Sequence, residues 1–157
     1  MTLPTELADD VVKRLTMFRF RSKVDFELQP SSDEGSLLES LRDGVAEVWK
    51  AQSEKFTPHM LNLDLIDAVD FDKGCYTGQE IVARTHYRGA SKRRCVRFES
   101  AEPVSPGDKV SDGSREVGEV LNAIGNDLLA VVPVDKAENG LTVNGTALLH
   151  LPLPYLQ

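Results

Sequence analysis

The stretch after Gly89 most limits what this chain can fold into. It contains five short runs that are apolar or alternate between apolar and polar residues: RRCVRFES, DKVSD, REVGEVLNAI, DLLAVVPV and TALLHLPLP. The segments between them, SPG, DG, GND and ENG, are strong turn formers. Short runs bounded by such turns are typical of β-strands in an all-β unit. The sequence therefore predicts five or six strands in a small antiparallel β-barrel or sandwich.

The part of the chain before this stretch predicts two helices and one strand. Thr5 is suited to cap a helix, and apolar residues follow it at helical spacing: Leu7, Val11, Val12, Leu15 and Phe18. The segment SKVDFEL has the period of a half-buried strand, with Val24, Phe26 and Leu28 on one face. A second helical stripe, interrupted by Gly44, contains Leu37, Leu38, Leu41, Val45 and Val48. These patterns together predict an α+β fold.

We divide the chain into three parts on this basis. Residues 1–30 hold the first helix and the strand, residues 31–89 form a central segment, and residues 90–157 form the barrel. A turn-forming composition in residues 29–36 separates the first two parts. Within the central segment, the stretch from Glu54 to Phe71 is rich in apolar groups but irregular, and we expect it and Trp49 to pack against a core.

Composition narrows the classes of function. The net charge of −7 argues against direct nucleic-acid binding and against affinity for an anionic membrane. Two cysteines without a CxxC spacing do not form a disulfide framework, so a reducing cytoplasm fits best. With three scattered histidines they also make a poor closed zinc site, and we predict no metal site.

The segment KGCYTGQE, residues 73–80, carries one of the two cysteines. Thr77 and Glu80 match the Ser/Thr-x-x-Glu capping box, which predicts a helix from Gly78 to about Arg88 that ends at Gly89. Arg84 lies four residues after Glu80, the spacing of a helical ion pair.

Cys75 has two interpretations that the residues leave open. A sulfur ahead of a helix N-terminus and near Lys73 has surroundings that favour a reactive thiolate, which is the nucleophile and metal ligand. A free cysteine can equally be a buried, inert apolar filler. Cys95 lies within a strand pattern, so we predict a structural role for it.

A run of cations follows the predicted helix. Six basic residues and no acidic one lie between positions 84 and 97: Arg84, Arg88, Lys92, Arg93, Arg94 and Arg97. Such a run is either a solvated face or a local positive field that receives an anionic ligand tail, a phosphate or a short stretch of RNA.

The KGCYTGQE segment closely resembles the signature of the YgfZ-type proteins, which are folate-binding relatives of the glycine-cleavage T-protein, an aminomethyltransferase. The resemblance covers residues 56–94. The ending LLHLPLPY is similar to the family's closing strand, and LTMFRFRSKVDFEL resembles the helix and strand that close its first domain.

The resemblance implies a ring of three subdomains, a central channel that binds tetrahydrofolate, and a small β-barrel as the C-terminal subdomain. It also implies a role in iron–sulfur cluster assembly or repair, with iron–sulfur client or carrier proteins as partners, including enzymes of tRNA modification. Cys75 corresponds to the family's motif cysteine and is expected to act chemically. Its expected supporting residues are Lys73, Gly74, Tyr76, Thr77, Gly78, Gln79, Glu80 and Arg84, and the expected ligand-binding residues are Asn62, Arg88, Lys92 and Arg93.

The sequence departs from the family pattern in two places. Most of the first domain is absent, so residues 1–30 read as its remnant, and a further stretch is absent between SKVDFEL and LLESLRDG. We therefore expect a truncated chain with an incomplete folate ring.

Three functions stay open, and whether the chain is an enzyme stays open with them. The chain is an iron–sulfur accessory protein acting through Cys75, a folate-dependent aminomethyl transferase, or a non-catalytic module that binds a partner.

Overall fold

The structure is a computed structural model that describes residues 3–19, 23–29, 34–89 and 91–156. Three α-helices span Thr5–Phe18 (α1), Glu34–Arg42 (α2) and Gln79–Arg88 (α3). Six strands span Arg93–Ser100 (β1), Lys109–Ser111 (β2), Glu116–Ile124 (β3), Asp127–Pro133 (β4), Thr142–Val143 (β5) and Thr146–Leu151 (β6). Short 3-10 turns lie between these elements, of which Pro58–Leu61 matters most for the site.

The six strands close into an antiparallel barrel in the order β1-β4-β3-β2-β5-β6, with β6 paired back to β1. The α+β prediction and the C-terminal antiparallel barrel are therefore confirmed. The five runs singled out in the sequence each contain a strand. The two-residue strand β5 was not among those runs, because it lies between two tight turns and is too short to show a period. The three-part division of the chain stays a prediction.

Strand β4 is buried on both of its faces. Leu128, Ala130 and Val132 point into the barrel, where they join Phe98 and other fully buried side chains. Leu129 and Val131 point outward and are equally buried. Because neighbouring residues of a strand face opposite sides, a continuous apolar run requires cover on both sides. The barrel wall at β4 therefore needs a second layer.

Residues from the central segment and the chain end supply that layer. Leu41 of α2, Leu61 of the 3-10 turn and Leu153 pack over the outward faces of β1, β3 and β4. Half-buried side chains, Phe56 and Met60 among them, complete the cover. This confirms that the irregular segment around residues 54–71 packs against a core. Each fully buried aliphatic side chain of this kind contributes about 1.5–3 kcal/mol.

The N-terminal region differs from its prediction. Helix α1 is confirmed, but Pro4 rather than Thr5 is its N-cap residue. Residues 23–29 form no strand, and Val24, Phe26 and Leu28 are exposed. The strand prediction was wrong because alternation of apolar and polar residues indicates only that one face of a strand is suited to burial. A strand also needs a neighbouring backbone to accept its hydrogen bonds. The described part of the chain places no such neighbour beside it.

Helix α2 is shorter than its apolar stripe predicted. It ends at Arg42, so Val45 and Val48 lie beyond it. Gly44 has φ +74°, in the left-handed region, and a β-carbon there would lie 2.5 Å from Leu153 Cδ2. The chain turns at this glycine because a helix cannot continue through a left-handed residue. Residues 30–33 of the predicted linker lie outside the described residues.

A close backbone approach inside the barrel gives a stability test. A β-carbon added at Gly118 of β3 would lie 2.5 Å from the carbonyl oxygen of Val131. We expect Gly118→Ala to lower the free energy of unfolding by about 1–3 kcal/mol, since overpacking forces the two strands apart. Gly89→Ala is the matched control because a β-carbon there meets nothing within 4 Å, and it should change stability by less than about 0.5 kcal/mol. Urea unfolding measures both variants, and equal midpoints would contradict the strand contact.

Candidate functional site

The KGCYTGQE segment forms a turn that leads into α3. Gly78, at φ +89°, is the N-cap residue, and no side chain caps the helix. The capping box predicted for Thr77 and Glu80 was therefore wrong. Because the helix begins one residue later than predicted, Glu80 falls at the second helical position, where it cannot reach back to the cap. Its carboxylate instead accepts a hydrogen bond from Arg84 at 2.9 Å, which is the predicted ion pair.

A different contact stabilises the turn. The backbone N–H of Tyr76 donates to Oε1 of Gln79 at 3.3 Å. The Lys73 ammonium lies 4.7 Å from the centre of the Tyr76 ring, within cation–π range. At the other end, α3 finishes at Arg88 as predicted, but Gly89 is extended rather than left-handed.

Cys75 is exposed to solvent in this turn, three residues before the cap of α3. The side chain is thus not the buried filler that one interpretation allowed. Its chemistry stays a prediction. Cys95 is fully buried, and burial raises the pKa of its thiol to about 12, so the predicted structural role of Cys95 is confirmed.

Aromatic contacts attach α3 to the rest of the molecule. The Phe71 ring stacks on His86 of α3 with ring centres 3.7 Å apart. His59, in the 3-10 turn, lies behind them with its ring centre 6.2 Å from Phe71 and 6.4 Å from His86. Val82 is the buried side chain of α3. The helix is therefore held along one narrow face.

A buried charged cluster lies beneath this aromatic contact, and sequence reasoning missed it. The Arg94 guanidinium donates to both carboxylate oxygens of Asp64, at 2.6 and 2.9 Å, and to the carbonyl of His59 at 3.0 Å. His59 Nε2 lies 4.0 Å from Asp64 Oδ2, and both ring nitrogens are buried without a hydrogen-bond partner among the described residues. The signal in the sequence was only a histidine and an aspartate in an apolar segment, 30 or more residues before the arginine.

The cluster shifts two pKa values. Burial lowers the pKa of His59 below its usual value; the Asp64 carboxylate opposes this effect, and the Arg94 guanidinium adds to it. Burial alone would raise the pKa of the Asp64 carboxyl, but the hydrogen bonds from Arg94 hold it below its usual value. At neutral pH the cluster therefore holds a neutral imidazole beside an ion pair.

Asn62, predicted as a ligand-binding residue, lies inside the structure. It is fully buried, and its amide nitrogen donates to the Cys95 carbonyl at 2.8 Å and to the Tyr155 hydroxyl at 3.0 Å. These bonds tie the 3-10 turn to β1 and to the chain end. Ligand binding by Asn62 stays a prediction.

The six basic residues do not form one continuous positive patch. Arg84, Arg94 and Arg97 are paired with the carboxylates of Glu80, Asp64 and Asp127. Arg93 donates to backbone carbonyls of the barrel. Within the described ranges, only Arg88 and Lys92 of the six take part in neither an ion pair nor a side-chain hydrogen bond.

An apolar cavity lies between α2 and the barrel, and the folate expectation stays a prediction. Leu41, Trp49 and Ile124 are among the residues that line it, and its volume is about 80 Å³. Ligand pockets usually have roughly 300–1,000 Å³. A pterin ring does not fit this cavity. Trp49 is half-buried here, in keeping with the packing role predicted for it.

Among the residues that the structure describes, no three histidine, cysteine, aspartate or glutamate side chains are grouped as metal ligands would be. Across the same ranges, none of the helices combines the length and the apolar character needed to cross a membrane.

The buried histidine predicts a pH dependence of stability. The folded state disfavours protonation of His59, whereas the unfolded chain takes up that proton below about pH 6.5. Stability present at neutral pH is therefore lost as the pH falls through and below that value. We expect the free energy of unfolding to fall more between about pH 7 and pH 5 in the wild type than in His59→Leu. Asp64 titrates below this window, and parallel curves for the two proteins would contradict the prediction.

The two cysteines predict a selective modification. In the folded protein, iodoacetamide should alkylate Cys75 and leave Cys95 untouched, because the thiolate must form and be accessible before it reacts. Mass spectrometry should find one adduct without denaturant and two in concentrated urea. Two adducts on the folded chain, or one on Cys95, would contradict the structure.

Comparison with known proteins supports the family resemblance. Residues 92–154 match the family model of the CAF17 C-terminal beta-barrel domain. The chain is 32% identical to the tRNA-modifying protein YgfZ of Sodalis glossinidius, over 85% of this chain and 45% of that protein. It is 42% identical to the YgfZ of Vibrio vulnificus over 59% of this chain and 28% of that protein, and 29% identical to that of Cronobacter sakazakii over 98% and 51%.

A solved structure agrees in fold. The glycine cleavage system aminomethyltransferase T of Bartonella henselae superposes with a TM-score of 0.55 at 18% identity, over 73% of this chain and 36% of that one. At this identity the likeness concerns the fold alone. The chain spans about half the length of the curated relatives that it matches most fully. With the KGCYTGQE turn and the closed barrel, these matches show that the chain is related to the YgfZ-type proteins.

Proposed function

We propose that this protein supports tRNA modification as an accessory factor for the assembly or repair of iron–sulfur clusters in client enzymes, with Cys75 as the acting residue. The observation that carries the proposal is the exposed thiol of Cys75 in the turn that leads into α3. The relatives are tRNA-modifying proteins, which supports a role in that process. An exposed free thiol also fits the reducing cytoplasm as the site of action.

The chemistry follows from what one thiolate can do. A cysteine thiolate is a soft ligand for iron, and clusters are held by several such ligands. One cysteine cannot hold a cluster alone, so the client, a carrier protein or a small thiol supplies the other ligands. Cys75 then serves as a transient ligand to the cluster, which is the cargo of the reaction.

The outward face of α3 supports docking of a protein partner beside Cys75. Ile81 and Tyr87 are 66% and 70% exposed, and Tyr76 is also exposed. Exposed large apolar side chains can mark an interaction site. Tyr76 in the turn and Ile81 in the first turn of α3 therefore offer apolar contacts close in sequence to the thiol.

The folate-dependent transferase has less support. One-carbon transfer assigns no chemistry to the exposed thiol of Cys75. Tetrahydrofolate stays an expectation from the family, and no step is assigned to it. The exposed apolar side chains of α3 support the partner-binding module as well. This alternative differs from the proposed function only because it does not require the thiol of Cys75.

A rescue experiment tests the role of the thiol. In a strain with impaired methylthiolation of tRNA, the wild-type chain should restore the modified nucleoside, measured by mass spectrometry of digested tRNA. Cys75→Ser should lower the restored level at least about tenfold, since a hydroxyl is a poor ligand for iron. Cys95→Ala is the matched control, because it removes the other thiol without touching the surface, and it should retain rescue.

The outcomes separate the alternatives. Rescue by Cys75→Ser together with loss of rescue in Tyr87→Asp would favour the binding module. Failure of the wild-type chain to rescue at a protein level equal to that of a working relative would contradict the proposal for this chain.

A further inference from the structure

A concave cleft lies at one end of the barrel, away from Cys75 in sequence and built on different elements. It is formed where β1 and β3 begin and where β4 ends, and its volume is about 370 Å³. Its lining includes four cations, Lys92, Arg93, Arg115 and Lys136, and two carboxylates, Glu116 and Asp135. We call this surface the cationic cleft. Its volume lies within the range of roughly 300–1,000 Å³ that is usual for ligand pockets.

Arg93 is fixed in the wall of the cleft. Its Nη2 donates to the carbonyl oxygens of Val117 and Val131, at 3.2 and 3.3 Å. Its Nε is buried and has no acceptor among the described residues. Burying a charged donor without a hydrogen-bond acceptor costs more free energy than burying a neutral one. Buried charged donors therefore usually have an acceptor. The guanidinium is therefore held in place, and because Nε is closed to solvent, a bond to a ligand in the cleft has to come from the other guanidinium nitrogens.

Two more cations of the cleft are exposed to solvent. The carbonyl of Lys92 accepts a hydrogen bond from the Val134 N–H at 3.0 Å, which fixes its backbone, while its side chain is exposed and unpaired. Arg115 is 74% exposed, and its Nε lies 4.0 Å from Asp112, at the limit of an ion pair. Lys136 differs from both because Asp112 accepts its hydrogen bond directly.

We propose that the cationic cleft binds the phosphate group of a small phosphorylated ligand. Arginine recognises phosphate through charge-assisted hydrogen bonds, and a fixed guanidinium loses less conformational entropy on binding than a mobile one. Arg93 supplies the fixed donors, Lys92 supplies an unpaired charge in the described ranges, and Arg115 adds a charge that meets Asp112 only at 4.0 Å. The site does not depend on the proposed function of Cys75.

The surroundings favour a small ligand over a polynucleotide. Glu116 and Asp135 lie in the same lining as the cations. Carboxylates at these positions repel a phosphate backbone that runs along the cleft, and the net charge of −7 repels a long polyanion. A single phosphate that reaches Arg93 avoids most of this repulsion.

Titration of the full chain with phosphate compounds tests the site. The probes are pyrophosphate, adenosine monophosphate and a short single-stranded RNA, each at constant ionic strength. The readout is the NMR shift of the Arg93 Nε–H and of the backbone amides of Lys92 and Arg115. We expect saturable shifts with pyrophosphate and adenosine monophosphate.

Variants locate the binding. Lys92→Gln/Arg115→Gln removes two charges that hold no other part of the fold, and it should raise the Kd at least about fivefold. Lys13→Gln removes an exposed charge on α1 and is the control for surface charge, with a Kd expected within about twofold of the wild type. Arg93→Lys keeps the charge but loses the guanidinium that two carbonyl bonds hold in place, so it should also weaken binding.

Three results would overturn the proposal. The first is the absence of saturable shifts with both small phosphates, and the second is an equal loss of binding in Lys13→Gln. The third is tighter binding of the RNA than of either small phosphate at the same amides, which would assign the cleft to RNA instead.

Discussion

The structure depends on a strand that is apolar on both sides. Strand β4 places Leu128, Ala130 and Val132 inside the barrel and Leu129 and Val131 outside it, and all five are fully buried. A barrel of six strands buries its inner face by closure, but closure does nothing for an outer face. The outward apolar side chains must therefore be covered by other parts of the chain. This requirement brings α2, the 3-10 turn and the chain end onto the barrel.

Polar contacts then fix how that covering layer sits. Asn62 bonds to the carbonyl of Cys95 and to Tyr155, and Asp64 pairs with Arg94. Apolar packing alone allows a layer to slide, whereas bonds to buried partners allow few positions because an unmade bond is costly. The turn that carries Asn62 and Asp64 also carries His59, which contacts the aromatic pair that holds α3. The position of the Cys75 turn thus depends, through a short chain of contacts, on the outer face of the barrel.

The same strand geometry explains why the cations separate. Arg93 and Arg94 are neighbours in sequence, yet Arg94 pairs with Asp64 and Arg93 contacts the carbonyls of Val117 and Val131. Side chains of adjacent strand residues point to opposite sides, so a run of cations in a strand cannot form one patch. Within the run, Arg94 attaches the segment of Asp64 to the barrel, whereas Arg93 and Arg97 bond to groups of the barrel itself. The cationic cleft instead combines Lys92 and Arg93 with Arg115 and Lys136, which the sequence run does not include.

The sequence by itself determined the local elements: strands in all five apolar runs, a helix after the cysteine turn, and the family resemblance through KGCYTGQE. The strands and the helix follow from periodicity and turn chemistry, which a short segment carries within itself. Tertiary structure alone decided that residues 23–29 have no partner strand among the described residues, that Gly78 rather than Thr77 is the N-cap of α3, and that Asn62 is buried. It also assembled the His59–Asp64–Arg94 cluster and the cationic cleft. The physical reason is that burial and ion pairing depend on which faces meet in space, and residues 30 or more positions apart leave no periodic signal of that meeting.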